Sequence, residues 1–259
     1  MSTFFVTLKN RGLIKINGKD RKSFLQGLIT NDIEKLSADN TLYACLLTPQ
    51  GKFLHDFFVI EHGNEIWLDC EGGTRAIDLH RRLSMYRLRA DVEIAVEEEN
   101  TVYGILEDWN AGILEKQHSK IPTFQDSRHS KMGHRTFEKP NLPERPFEEW
   151  DYHRITLTIP DGSRDLIIEK STLAEANMDT INAIDYDKGC YIGQELTARM
   201  HYRGLGKKHL KTISSPPPSS CGSTAGSHDE QADPAVKPQD DIVETRSSCK
   251  DIAIALVKI

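Results

Sequence analysis

Three short β-favouring runs follow one another between residues 42 and 69, and they constrain the fold more than any other feature of the chain. The runs at 42–48, 53–60 and 65–69 are separated by Pro49-Gln50-Gly51 and His62-Gly63-Asn64, turn-forming triplets far too short for a crossover helix. Such connections join antiparallel neighbours, so the pattern predicts an antiparallel meander. Upstream, residues 13–16 alternate like a strand, and Asp20 is placed to cap a helix with Phe24, Leu25 and Leu28 on its apolar face, ended at Thr30-Asn31-Asp32. Downstream, residues 74–86 have helical spacing at Ile77, Leu79, Leu83 and Tyr86, and strands at 92–96 and 101–106 straddle an acidic turn. Strands and helices alternate without the regular beat of a doubly wound sheet, so the expected class is α+β.

The second half is less regular. Residues 127–146 are polar and proline-punctuated, which predicts a loop or inter-lobe connection, and a helix is expected at 147–157, stopped by Pro160-Asp161-Gly162. Residues 171–187 read as irregular with a short helix near 173–181. After Gly206 the composition shifts: a strand at 207–213, a Ser-, Pro-, Gly- and Asp-rich stretch at 214–241 expected to be a mobile loop, and a β-favouring tail at 252–259. The division this implies is a larger region of two lobes at 1–206 and a small C-terminal β unit at 207–259.

Bulk chemistry removes several functions. A formal net charge of −6 argues against a broad phosphate-neutralising surface, so direct nucleic-acid binding is not expected. No apolar run reaches the roughly 18 residues that span a bilayer, and the start MSTFFVTLKNRG reads as neither a signal nor a transit segment. The expected compartment is the cytoplasm, or the mitochondrial matrix if the chain is a processed organellar protein. The cysteines Cys45, Cys70, Cys190, Cys221 and Cys249 are odd in number and widely spaced, so neither a disulfide framework nor a thiolate metal site is legible. His129 and His134, near Asp126 and Arg128, match no recurrent ligand spacing and read as loop residues. Arg75, Arg81, Arg82, Arg87 and Arg89 read first as solvated helix-face charges, and second as an attractor for an anionic ligand tail or an acidic partner.

Chemistry concentrates in DYDKGCYIGQELTARMHYRG, residues 185–204. A helix beginning just after Cys190 would align Ile192, Leu196 and Met200 on a buried face, bring Glu195 opposite Arg199 at i, i+4, and end at Gly204 in a left-handed cap. It would also place Cys190 at the helix N-terminus, where free N–H groups favour an anion such as a thiolate, with Lys188 adding positive charge. Gly189 would let a ligand or partner approach the backbone. Two readings of Cys190 stand side by side at this point: a reactive thiol, or a buried structural cysteine ahead of a helix.

The string Lys188-Gly189-Cys190-Tyr191-Ile192-Gly193-Gln194-Glu195 resembles the K-G-C-[FY]-x-G-Q-E signature of the YgfZ-like branch of the glycine cleavage T-protein superfamily. The openings LIKINGKDRKSFLQGLITNDI, TPQGKFLHDFFVI and IPDGSRDLIIEKSTLAEANMD are similar to the same family, so the likeness covers most of 11–206. It implies a T-protein-like ring of antiparallel-sheet lobes around a central cavity for tetrahydrofolate, and a role in iron–sulfur cluster assembly or repair beside assembly proteins and cluster-containing client enzymes. Carried over, Cys190 is the functional thiol, and Lys188, Gly189, Gly193, Gln194, Glu195, Arg199 and Asp56 are cofactor-binding candidates. A folate-dependent aminomethyl or one-carbon transferase and a folate-free scaffold are the rival readings. One departure is chemical: His55 stands where the T-protein strand carries the first of two acidic residues, and aminomethyl transfer needs a carboxylate base there. The C-terminal unit is also short beside the family's barrel.

Overall fold

A computed structural model describes residues 3–97, 100–106, 123–214 and 242–258. Most of the stretch expected as a loop at 214–241, together with Trp109 and Cys221, lies outside the described residues. The elements run β1 (Phe4–Leu8), β2 (Arg11–Asn17), α1 (Arg21–Gln26), β3 (Leu42–Leu47), β4 (Phe53–His62), β5 (Glu65–Glu71), α2 (Thr74–Tyr86), β6 (Glu93–Glu97) and β7 (Val102–Leu106). They continue with β8 (Thr123–Gln125), β9 (His134–Thr136), β10 (Glu144–Arg145), α3 (Phe147–Thr156), α4 (Gln194–Arg203), β11 (Lys208–Ser214), β12 (Ile242–Cys249) and β13 (Ile252–Lys258). The class is α+β: three sheets, antiparallel except where β1 meets β10, and no closed barrel among the described residues.

The expected meander is present as β3-β4-β5, and β2 and β6 extend it into a five-stranded sheet of order β3-β4-β5-β2-β6. β3 and the first eight residues of β4 are buried without alternation because this sheet is covered on both faces. On one face Ile14, Ile16, Phe57 and Leu68 meet Leu25 of α1 and Leu79 and Leu83 of α2. On the other, Leu13, Tyr43, Phe58 and Trp67 meet Val6 and Val102 of the second sheet, together with Phe124, Phe137 and Trp150. That second sheet runs β10-β1-β7-β9-β8, and Gly104 in β7 gives α3 its close approach: a Cβ there would sit 2.4 Å from the Trp150 ring. The third sheet, β11-β13-β12, packs against α3.

Three sequence expectations are revised. The supposed connection at 127–146 carries β9 and β10, and its Arg128 and Arg135 are buried rather than solvated. The short helix expected near 173–181 is a succession of hydrogen-bonded turns, with Asn177 at φ 55° interrupting any helix. Asp20 precedes α1 but its carboxylate accepts from Asp91 N at 2.8 Å instead of capping the helix.

Candidate functional site

The segment 182–192 lies along the end of α1 and the turn after it, fastened by polar contacts at short intervals. Asn31 Nδ2 donates to Asn182 O at 2.9 Å, Thr30 Oγ1 to Ala183 O at 2.6 Å, Asp185 N to Thr30 O at 3.0 Å, and Ile192 N to Gly27 O at 3.2 Å. Lys188 is the central fastener. Its ammonium donates to Gln26 O, Ile29 O and Asn31 O at 2.8, 2.7 and 2.8 Å, and lies 5.1 Å from the Tyr191 ring centroid. Three donors meet three carbonyls, so the charge is spent on the C-terminal end of α1, where a cation is favoured. Burial pulls the Lys188 ammonium down to about 8, against the raising effect of Asp32 and Asp185. The sequence expectation that Lys188 faces a ligand is therefore revised: it braces the loop from below.

Gly193 is the second brace. It sits at φ 83° directly before α4, and an added Cβ would lie 2.6 Å from Thr48 O and 3.0 Å from Gly51 Cα. Gly51, at φ 73° in the β3–β4 turn, has the reciprocal constraint, with Gly193 O 2.8 Å from its ideal Cβ position. The two most distinctive sequence segments thus meet glycine to glycine, a contact that tolerates no side chain on either.

Between these braces, Gly189 and Cys190 are exposed while Lys188 and Tyr191 on either side are buried. A Cβ on Gly189 would meet nothing within 4 Å, so no part of the chain itself demands a glycine there. Of the described cysteines, Cys45, Cys70 and Cys249 are buried and Cys190 alone is exposed. Burial pushes the Cys45 thiol up well above its ordinary value and the Cys70 thiol up to about 12, which keeps both protonated.

Cys190 is not at a helix start, however. Helix α4 begins at Gln194, because the left-handed Gly193 interrupts any helix from 190. The buried residue of α4 is Thr197, with Leu196 and Met200 half-buried, and Glu195 and Arg199 are exposed with no ion pair between them among the described residues. The left-handed cap at Gly204 is as expected, at φ 58°. Beside the loop, Tyr186 stacks on His201 of α4 at 3.8 Å and 18°, with Tyr202 against both. That aromatic group was invisible in the sequence, where only the i, i+4 apolar spacing of α4 was read. Among the described residues there is no group of three or more His, Cys, Asp or Glu that would hold a metal, and no helix long and apolar enough to cross a membrane.

Asp56 is elsewhere, between the two five-stranded sheets. Its carboxylate takes Tyr43 Oη at 2.8 Å, has Arg11 at 4.0 Å and is 2 % exposed; burial raises its pKa, opposed by Arg11. It belongs to a buried ionic lattice. Arg11 Nε meets Asp69 at 2.7 Å, Arg135 bridges Asp69 at 2.8 Å and Asp126 at 2.9 Å, and Arg128 grips Asp126 with Nε and Nη2 at 2.9 and 2.7 Å. The guanidinium groups of Arg128 and Arg135 also lie 5.2 and 4.3 Å from the Phe58 ring. Asp126 and Arg128, two residues apart, were the trace of this lattice in the sequence, but their partners come from β5 and β9 and no local pattern names them. A folate at Asp56 fails the test of fit: both carboxylate oxygens face protein atoms, Oδ2 toward Tyr43 and Oδ1 toward Gly162.

No family model matches the chain. It is 32 % identical over 236 residues to the "Iron-sulfur cluster assembly factor IBA57 homolog, mitochondrial" of Chaetomium globosum, with 78 % of this chain and 54 % of that protein aligned. The human "Iron-sulfur cluster assembly factor IBA57, mitochondrial" is 31 % identical over 228 residues, covering 78 % of this chain and 64 % of the relative. The chain is similar to these IBA57 proteins over most of its own length. It spans about half the length of the fungal IBA57 relatives it matches. In fold it is similar to the crystal structure of glycine cleavage system aminomethyltransferase T from Bartonella henselae, with a TM-score of 0.68 at 11 % identity over 99 % of this chain and 78 % of that one. The T-protein fold expected from the signature string is thus the fold of this chain.

Proposed function

We propose that this chain is an accessory factor in iron–sulfur cluster assembly or repair, in which the Cys190 thiol contacts a thiol, metal or cluster on a partner protein. The observation that carries the reading is the loop itself: the one exposed thiol among the described residues, beside a glycine with open space around it, on a segment anchored by a three-carbonyl lysine and a glycine–glycine contact. Rigid anchoring lowers the entropy lost when a partner engages the sulfur. The names of the relatives support the same process, and their mitochondrial labels favour the organellar compartment over the cytoplasm. The expected partners are assembly proteins and cluster-containing client enzymes.

A reduced folate enters this proposal only as the ligand suggested by the T-protein fold. Its assigned carboxylate, Asp56, is enclosed, so contacts to a folate must come from other residues. The transferase reading is the weaker one. His55 Nε2 is committed to Asp78 at 3.0 Å, and burial followed by the nearby Arg75 pushes its pKa down to about 4. The carboxylate pair that would serve as base is absent from this strand.

The test is replacement of Cys190 by Ser in cells that depend on this chain. Activity of cluster-dependent enzymes is expected to fall while the purified variant keeps its melting temperature; full enzyme activity would overturn the thiol role. Titration with tetrahydrofolate, followed by the fluorescence of the tryptophans including Trp67 and Trp150, separates the folate part: no saturable change removes it. Product formed from an aminomethyl donor and tetrahydrofolate would instead support the transferase.

A further inference from the structure

The three-stranded terminal sheet and the segment 165–176 enclose a solvent-open groove of about 210 Å³. That is below the roughly 300 to 1,000 Å³ of sites for drug-sized ligands, so any occupant is small. Its floor is apolar: Leu166, Ala176, Leu210 and Leu256 are each at most 8 % exposed. Its walls are charged. Lys170, Lys208 and Arg246 line it, and so do Asp165, Glu175 and Glu244.

The carboxylates are already engaged. Asp165 accepts from Arg154 at 2.7 Å and from Ser247 N at 2.9 Å, and Glu175 accepts from Thr172 N and Oγ1 at 3.2 and 3.0 Å. Glu244 holds the two terminal nitrogens of Arg246, each at 3.0 Å. The cations are not matched in the same way. Lys170 and Lys208 make no ion pair among the described residues. The Arg246 side chain is 9 % exposed, and its Nε is buried without a hydrogen-bond acceptor. A guanidinium presents five donors and no acceptor, and a buried N–H left unpaired carries a free-energy penalty that a suitable acceptor removes. A ligand with a negatively charged head and a short hydrocarbon body would meet both Nε, with the unpaired lysines beside it, and the apolar floor.

We infer that this groove is a binding site for a small organic carboxylate, with the head at Arg246 between Lys170 and Lys208 and the apolar body on Leu166, Leu210 and Leu256. Glu244 already holds both terminal nitrogens of Arg246, so one oxygen of the bound carboxylate is assigned to Nε and the other to the ammonium groups of Lys170 and Lys208. The site shares no residue with the Cys190 loop and rests on no part of the cluster-assembly reading.

Ligand-observed NMR titration of the full chain with hexanoate, and with its neutral isostere hexanamide, tests the proposal. Hexanoate is expected to bind saturably and about tenfold more tightly than the amide, since an arginine–carboxylate contact is charge-assisted. Arg246→Leu, with its melting curve checked against the parent, is expected to abolish the difference. Lys208→Met, on a half-buried side chain with no ion pair of its own, weakens hexanoate alone and serves if the arginine variant does not fold. Equal binding of acid and amide, no saturation by about 10 mM, or unchanged affinity in the folded variants would overturn it.

Discussion

At single residues, two glycines of one signature string have opposite roles that the string alone does not separate. Gly193→Ala must place a Cβ against Thr48 O from a positive φ, so it should cost at least about 2 kcal/mol in chemical denaturation. Gly189→Ala meets open space and should stay within about 0.5 kcal/mol of the parent, yet impair whatever approaches Cys190. Equal stabilities would refute the assignment. Cysteine mapping by mass spectrometry after brief native alkylation should find Cys190 modified ahead of Cys45, Cys70 and Cys249. His55 gives a pH prediction. Its folded-state pKa is about 4 against about 6.5 unfolded, so the unfolded chain takes up the proton first as pH falls. Stability contributed by the neutral imidazole is whole above about 6.5 and drains away between about 6.5 and 4, by about 3 kcal/mol. Arg75 and Arg82 push the same way and Asp78 opposes them. A flat profile over that range, or one unchanged in His55→Gln, would contradict this.

Among the elements, those with strong period were legible and those made by distant partners were not. Helix α2 occupies the predicted 74–86, and β3, β4 and β5 match the predicted runs to within two residues at each end. The short strands β8, β9 and β10 escaped notice because each is two or three residues long, and β9 and β10 pair with β7 and β1, far away in sequence. At the site, the exposure of Cys190 fitted one of the two open readings, and the start of α4 was placed too early: the tyrosine and isoleucine after Cys190 suit a helix, but Gly193 docks on the β3–β4 turn first. The bracing of the loop by Lys188 gives an element-scale test. Lys188→Met leaves three carbonyls without their donor and should cost about 2 kcal/mol or more. Hydrogen exchange at 183–193 should rise by more than at α2, and if it does not, the loop is held by something other than this ammonium.

Across the whole molecule, the lattice of Arg11, Asp69, Arg135, Asp126 and Arg128 joins the two five-stranded sheets. Charges this deep hold little net stability as pairs, but removing one member strands the others. Arg135→Met should therefore lower stability by about 3 kcal/mol, whereas Lys19→Met, which breaks an exposed pair with Asp91, should change it by less than about 1 kcal/mol. Nothing in local sequence announces such a lattice, since its members are brought together only when both sheets have formed. The same dependence on remote partners governs the glycine-to-glycine contact. Gly51 leaves a growing polypeptide long before Gly193, so the hairpin must wait, bare, for the signature to arrive. Until that late stitch closes, the segment that carries Cys190 is held at only one of its two ends.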